Sequence, residues 1–419
     1  MARKIVLKPE SAACVSAVSV LPEVSKALRR IREDEPLTLS EQVEICGIAS
    51  PTFSEGARAE YVRKRLERCG LDAFTDPAGN VLAMRRGESP GPLCVLCAHL
   101  DTSYPASDIS VRQEGETYFA PGIGEDARGL AVLIETARAL SISAIRTKGS
   151  ILFAATSGEE GNGELRGAKY LFSSGLRPQG FLSLFSTDVR HIPLTAMGSR
   201  RFEAVFTGPG GHSLERFGKS PSAIAALCRA GALFADMEAP KGPRTTFNLG
   251  LISGGSSINA IAQEARCEFE VRSEGKEALD VVSERALSYF ERAAEAENRR
   301  WGVTDEKLKA RCLITQVGDR PAGALSPESP VAQAAAAAQN ALGIELKSTW
   351  PASSDFNIPL SLGIDASGIG SGGTSGLTHA ASEWFDSTES FLGPQLAFLT
   401  LLALVGAQGG PEPMLEQRL

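Results

Sequence analysis

The run Ile151-Leu152-Phe153-Ala154-Ala155-Thr156 closes on Ser157-Gly158-Glu159-Glu160-Gly161, an apolar stretch of strand length that ends in two adjacent carboxylates between glycines. Like charges desolvated together repel, so such a strand end costs stability unless the charges are used. A chain that accepts it is expected to bury the strand in a sheet and to leave the strand's C-terminal end facing a ligand, as open α/β sheets do. The natural division of labour puts one glutamate on a metal ion and makes its neighbour the general base to water.

The surrounding pattern fits that sheet. Residues 54–69 have amphipathic helical spacing and stop at Gly70, in the manner of a helix C-cap. Residues 80–84, 93–100, 127–140 and 150–156 then alternate between strand-like and helix-like texture, which predicts an α/β domain. From Arg200 the texture changes to the polar and apolar alternation of a half-exposed strand. A helix over 221–237, strands over 245–252 and 264–272, a long helix over 276–300 and a strand over 308–317 follow, a β-α-β-β-α-β insertion. The predicted organisation is a first domain of residues 1–197 and 318–419 and an inserted domain of residues 198–317. The alanine-rich helix over 330–342 belongs to the first, and residues 406–419, without apolar periodicity, read as a frayed tail.

Three further segments carry chemistry-bearing residues. In Cys97-Ala98-His99-Leu100-Asp101-Thr102 a histidine leaves an apolar strand with an aspartate two residues on, on the same face, where its carboxylate would hold the imidazole. In Gly122-Ile123-Gly124-Glu125-Asp126-Ala127-Arg128-Gly129 the glycines permit a tight turn, and Asp126 at a helix start is either an N-cap or a ligand. The same Gly-x-Gly opens a dinucleotide-site reading, although it lacks a third glycine in register. Gly376-Leu377-Thr378-His379-Ala380-Ala381 delivers one of only four histidines late in the chain.

Composition narrows the partners. The 419 residues include 43 Lys and Arg against 50 Asp and Glu, a net charge of -7 without a basic run, which argues against nucleic acid or an anionic membrane as partner. No stretch approaches the roughly 20 apolar residues of a membrane span. The eight cysteines are scattered, which favours a reducing compartment, and the Cys94-x-x-Cys97 pair lies in an apolar run that reads as core. Lys8, Pro9 and Glu10 break up the small-residue N-terminus ahead of a charged helix, so no cleaved leader is read and a cytoplasmic protein is expected.

Taken together, in this order, the four segments resemble the family of co-catalytic zinc metallopeptidases and amidohydrolases that includes aminoacylase, acetylornithine deacetylase, succinyl-diaminopimelate desuccinylase, glutamate carboxypeptidase and peptidase T; the likeness covers residues 39–404. It implies an α/β fold, a zinc-exopeptidase-like catalytic domain with a mixed sheet flanked by helices, plus an inserted α+β, ferredoxin-like lid or dimerisation domain. By the resemblance His99 and Asp126 hold one zinc and Asp126, Glu160 and His379 the other, with Asp126 bridging, Asp101 orienting His99 and Glu159 as general base. Two such ions lie about 3.5–4 Å apart, polarise the amide carbonyl and supply hydroxide near neutral pH; cobalt or manganese suits the same donors. A cis bond between Asp126 and Ala127 is also implied.

In the insertion, Gly208-Pro209-Gly210-Gly211-His212-Ser213 looks like the family loop whose histidine steadies the tetrahedral oxyanion, often in the neighbouring subunit's site, and a homodimer through the lid is implied. Ser257-Ile258-Asn259-Ala260-Ile261 and Val271-Arg272-Ser273 resemble the segments that grip the substrate carboxylate, with Asn259 and Arg272 as donors. The chain departs from the family at one position. The third ligand of the first metal is expected at Phe185, which cannot bind zinc. Asp188 and His191 stand as replacements, and the remaining alternative is one metal fully held and the other weak or absent. The function implied is a metal-dependent hydrolase of an amide bond next to a free carboxylate, in a small peptide or N-acyl amino acid. The alternative is a degenerate relative that binds such a molecule without turnover.

Overall fold

Leu93–His99 and Ser150–Thr156 lie parallel and adjacent, in register from Leu93 opposite Ser150 to His99 opposite Thr156, so both apolar runs end at one edge of the sheet. A computed structural model describes residues 4–88, 90–105 and 108–416. Gly180–Ser186 and then Asp365–Gly370 extend the sheet in parallel on the His99 side. On the other side Val81–Arg85 and Ala73–Thr75 close it in antiparallel fashion, giving six strands in a mixed sheet. Both faces of the central strands are buried, which is why these runs are continuously apolar instead of alternating.

Helices cover this sheet. Ala127–Ile142 packs on the central strands, and Leu392–Val405 is buried along its length. Pro330–Ala341 begins with a proline after Ser329, whose hydroxyl accepts the Ala332 N–H at 3.2 Å. Its alanines are almost all buried, and their small side chains let Pro9–Ser19 and Leu392–Val405 approach it closely. No single helix among the described residues is long and apolar enough to cross a membrane.

The segment read as a frayed tail is docked as far as it is described. Met414 and Leu415 donate their N–H groups to Ala403 and Leu404 at 3.0 and 3.1 Å, and Leu415 is only 4% exposed. Its side chain fills the space over Gly180, where a Cβ would fall 2.8 Å from Leu415 Cδ1. One anchoring leucine creates no periodicity, so the sequence pattern missed it; residues 417–419 lie outside the described residues.

By its internal contacts the chain divides into a unit made of the residues up to Ala196 and from Ala324 onward, and a second unit, Met197–Gly323. In the second unit Thr245–Gly254, Glu264–Ser273, Gly198–Thr207 and Arg311–Arg320 form an antiparallel sheet in that spatial order. Ala223–Ala235 and Lys276–Arg300 cover one face in the β-α-β-β-α-β connectivity of a ferredoxin-like fold. The last strand runs three residues beyond the sequence reading, because a register shift between Gln316 and Gly318 carries the pairing on to Arg320. The core of this unit is aromatic: Phe269 stacks on Phe290 with ring centroids 4.2 Å apart, and Phe234 meets both edge-on.

Candidate metal centre

His99 is the last residue of its strand and is 1% exposed. Its Nδ1 lies 2.9 Å from the carbonyl oxygen of Asp101 and 3.6 Å from the Asp101 carboxylate, so the turn itself, more than the carboxylate, orients the ring. Asp101 is fully buried, and its oxygens accept the N–H groups of Glu159 and Glu160 at 2.9 and 3.0 Å and the Thr52 hydroxyl at 2.8 Å. This one carboxylate ties the end of the first strand to the Glu-Glu turn after its neighbour. Burial alone would raise the Asp101 pKa, but His99 and the two backbone donors outweigh it and hold it down at about 2.

Asp126 and Glu125 both lie close to His99. Asp126 caps no N–H of its own helix; its Oδ2 instead accepts the backbone N–H of His99 at 2.8 Å. It is packed so closely that a Cβ on Gly129 would fall 1.9 Å from its Oδ1. Asp126 Oδ2 also lies 3.9 Å from His99 Nε2, and Glu125 adds a further donor: one donor atom each from His99, Glu125 and Glu160 lie within 4.8 Å of one another. The cis peptide is also one residue earlier than expected, between Glu125 and Asp126 instead of Asp126 and Ala127. Burial pushes Glu125 up to about 7 and Asp126 up to about 8, with the charge of His99 opposing in both.

His379 stands against this group with Nε2 2.7 Å from Glu160 Oε1. The hydrogen bond to Glu160 raises the half-exposed imidazole to about 9; on the glutamate, burial is outweighed by the same contact and the carboxyl lies below its ordinary value. His99 is pulled down by burial yet ends well above the ordinary imidazole value because Asp126, Asp101 and Glu159 surround it. Glu159 is buried beside Glu160, at 4% exposure.

The proposed replacements for the ligand missing at Phe185 do not join. The Phe185 ring packs edge-on against Phe356 and His191, at 5.8 and 5.6 Å. Asp188 is exposed, with Oδ1 accepting the Arg190 N–H at 2.9 Å, and His191 Nε2 lies 2.9 Å from the carbonyl of Trp350. The dinucleotide reading of the glycine turn fails too, because the N–H groups of Gly122 and Gly124 are both donated to the Glu383 carboxylate at 2.9 Å.

In the second unit, His212 is exposed, and its Nδ1 accepts the Leu214 N–H at 3.3 Å. The exposed Asn259 accepts the Ser257 hydroxyl at 2.5 Å. The Arg272 guanidinium is gripped at both ends by Glu270, at 2.9 and 3.0 Å. Sequence reasoning passed over Glu125, Glu383 and Asp355. Asp355 is buried and accepts the Thr156 hydroxyl at 2.5 Å and the Cys97 thiol at 3.3 Å, on the strands that end at the centre. For Glu125 a signal was present: it is the second pair of adjacent acids in a glycine turn.

Residues 194–298 match the family model described as peptidase dimerisation domain, and residues 80–223 match that of peptidase family M28. A protein of Pyrococcus abyssi named as a LysW-lysine/LysW-ornithine hydrolase is 35% identical over 118 residues, 28% of this chain. The match spans 32% of that relative's length. A tripeptidase from Staphylococcus aureus superposes with a TM-score of 0.73 at 23% identity, covering 87% of this chain and 96% of that one. A dinuclear metal-binding peptidase of the M20 family from Bacillus subtilis gives 0.66 at 18% identity, covering 89% and 99%. At these identities the structural likeness is one of fold.

Proposed function

We propose, from the resemblance of this chain to the co-catalytic metallopeptidases and amidohydrolases, that it is a metal-dependent hydrolase of an amide bond next to a free carboxylate, in a small peptide or an N-acyl amino acid. The observation that carries this reading is the convergence of His99, Glu125 and Glu160 within 4.8 Å at the ends of neighbouring strands, with His379 on Glu160. The donor set fits a divalent cation: one nitrogen and two carboxylates, all but Glu125 under 9% exposed, would repel without positive charge between them. Zinc suits these ligands, and cobalt or manganese would be accepted by the same atoms.

His99, Glu125, Glu160 and His379 would hold the ion, and Asp126, with Oδ2 3.9 Å from His99 Nε2, is close enough to share in holding it. Phe185, packed among aromatic rings, supplies nothing to a second ion, so one tightly held metal per chain is proposed. When bound, the ion supplies Lewis acidity that polarises the scissile carbonyl and eases ionisation of water. Glu159 takes the proton of the attacking water on its carboxylate and passes it to the leaving nitrogen. Asp101 keeps His99 and the backbone of Glu159 and Glu160 in place. Arg272 and Asn259 would bind the substrate carboxylate, Arg272 by exchanging one of its bonds to Glu270, and His212 would steady the oxyanion. A homodimer through the inserted unit is supported by its edge strand Thr245–Gly254, where Leu251 and Ile252 are 62% and 61% exposed.

The aromatic packing of Phe185 favours a second reading, a binder without turnover. Metal analysis together with a panel of dipeptides and N-acyl amino acids separates the two. Bound metal with turnover abolished in Glu159→Gln supports the hydrolase; a metal-free, inert protein sinks it.

A further inference from the structure

We infer that Glu383 is the positioning residue of the metal centre, a buried carboxylate that clamps the turn carrying Glu125 to the segment carrying His379. Its side chain is anchored on one side only by backbone: Oε2 accepts the N–H of Gly122 at 2.9 Å, and Oε1 accepts those of Gly124 at 2.9 Å and Glu125 at 3.1 Å. Three N–H groups of one turn converge on one anion as in a backbone nest, that of Ile123 alone turning back to the Ala120 carbonyl, and here the anion is internal. Glu383 is 1% exposed, and none of the described ion pairs includes it, so these N–H groups are its main compensation.

The glycines of this turn serve that approach. Gly122 has φ 77°, which a side chain would strain, and a Cβ on Gly124 would fall 2.8 Å from Ser375 Cβ and 3.1 Å from Glu383 Oε1. The Gly-x-Gly that suggested a phosphate cradle thus cradles the chain's own carboxylate.

The main chain of Glu383 is tied as tightly. Its carbonyl accepts the Ala120 N–H at 3.1 Å, its N–H is donated to Ala380 at 3.1 Å, and the Ala380 N–H to Leu377 at 3.0 Å. The last two bonds close consecutive turns, the first of which holds His379. Directly after Glu383, Trp384–Asp386 pairs with Thr117–Phe119, the strand that leads into the glycine turn. Every connection between the Glu125 turn and the His379 turns named here therefore passes through residue 383 or its immediate neighbours.

This inference rests on the metal-centre reading for what is being positioned, and the test keeps the two apart. Co(II) is titrated into the metal-free wild-type protein, Glu383→Gln and Glu383→Asp, with affinity taken from chelator competition and site geometry from the visible absorption band. Amide hydrogen exchange of residues 120–125 is followed in the same samples. Glu383→Gln keeps size but turns an NH₂ group toward a backbone donor, so Co(II) affinity is expected to fall roughly 10- to 100-fold with an altered band. The amides of Gly122, Gly124 and Glu125 should exchange faster, and Glu383→Asp should recover part of both losses. Unchanged affinity and band in Glu383→Gln overturn the inference, even if its melting temperature drops. If the wild type takes up no Co(II), the metal-centre reading fails by itself, and the clamp is then decided by exchange: unaltered protection in the variants overturns it. Should both variants fail to fold, rapid exchange of those three amides in the wild type overturns it as well.

Discussion

Both units have apolar cores, but they differ in how much charge they bury beside them. At the strand ends of the first, His99, Asp101, Asp126, Glu159 and Glu160 are all under 8% exposed, and Arg58 and Arg128 are fully buried nearby on backbone carbonyls. The second keeps Phe206, Phe234, Phe269 and Phe290 inside and leaves His212 and Asn259 exposed. Buried charge without full compensation is a poor source of stability, whereas stacked aromatic rings are a good one. The difference teaches that the first unit carries a destabilising arrangement its chemistry requires, and that the second is built to hold its shape while presenting side chains at its surface.

The sharpest way to break this contrast is Glu159→Gln. If the buried carboxylate is there for chemistry, hydrolysis falls by about 10²- to 10⁴-fold while metal content and melting temperature hold. A variant that keeps its rate removes the general base from the mechanism. Its counterpart in the second unit is Phe290→Ala, which opens the stack on Phe269 and is expected to cost about 3–5 kcal/mol of stability. Denaturant unfolding should show the loss, with metal affinity of the folded protein unchanged. A smaller effect is expected from Arg272→Lys, which cannot make a planar two-point contact with a carboxylate. KM should rise roughly 10-fold for a substrate with a free carboxylate and stay level for its amidated analogue; equal effects on both would show that Arg272 serves only its pairing with Glu270.

How much of this was legible follows from range. The strand runs, the long helix Lys276–Arg300 and the insertion announce themselves by local periodicity, and His99, Glu160 and His379 by their place at strand ends or in a glycine loop. That both adjacent acids reach His99 was not legible, because only the path of the tight turn that carries Glu125 and Asp126 brings the two carboxylates to the same imidazole. Glu383 was invisible for a stronger reason. Its partners lie some 260 positions earlier in the chain, and a carboxylate that binds backbone leaves no complementary side chain to notice. The position of Asp188 was not legible either: the strand ends at Ser186, and Asp188 is exposed and bonds the N–H of Arg190.

The mildest test asks whether buried charge weakens the first unit even where no chemistry is proposed. Glu135, in the helix Ala127–Ile142, is 3% exposed; Arg138 Nε lies 2.7 Å from its Oε2, and Arg138 also reaches Asp34 at 3.0 Å. Burial outweighs Arg138 and pushes the carboxyl from 4.5 up to about 7. The native state therefore holds this proton more tightly than the unfolded chain does. Its contribution to stability is fully present below pH 4.5 and is lost as the pH rises through 7, about 3 kcal/mol in all. Glu135→Gln cannot ionise, so urea midpoints measured from pH 4.5 to 8 should fall less in the variant than in the wild type, by that amount. An identical pH profile would mean that Arg138 compensates the charge in full, and the burial contrast between the units would then hold only at the metal centre.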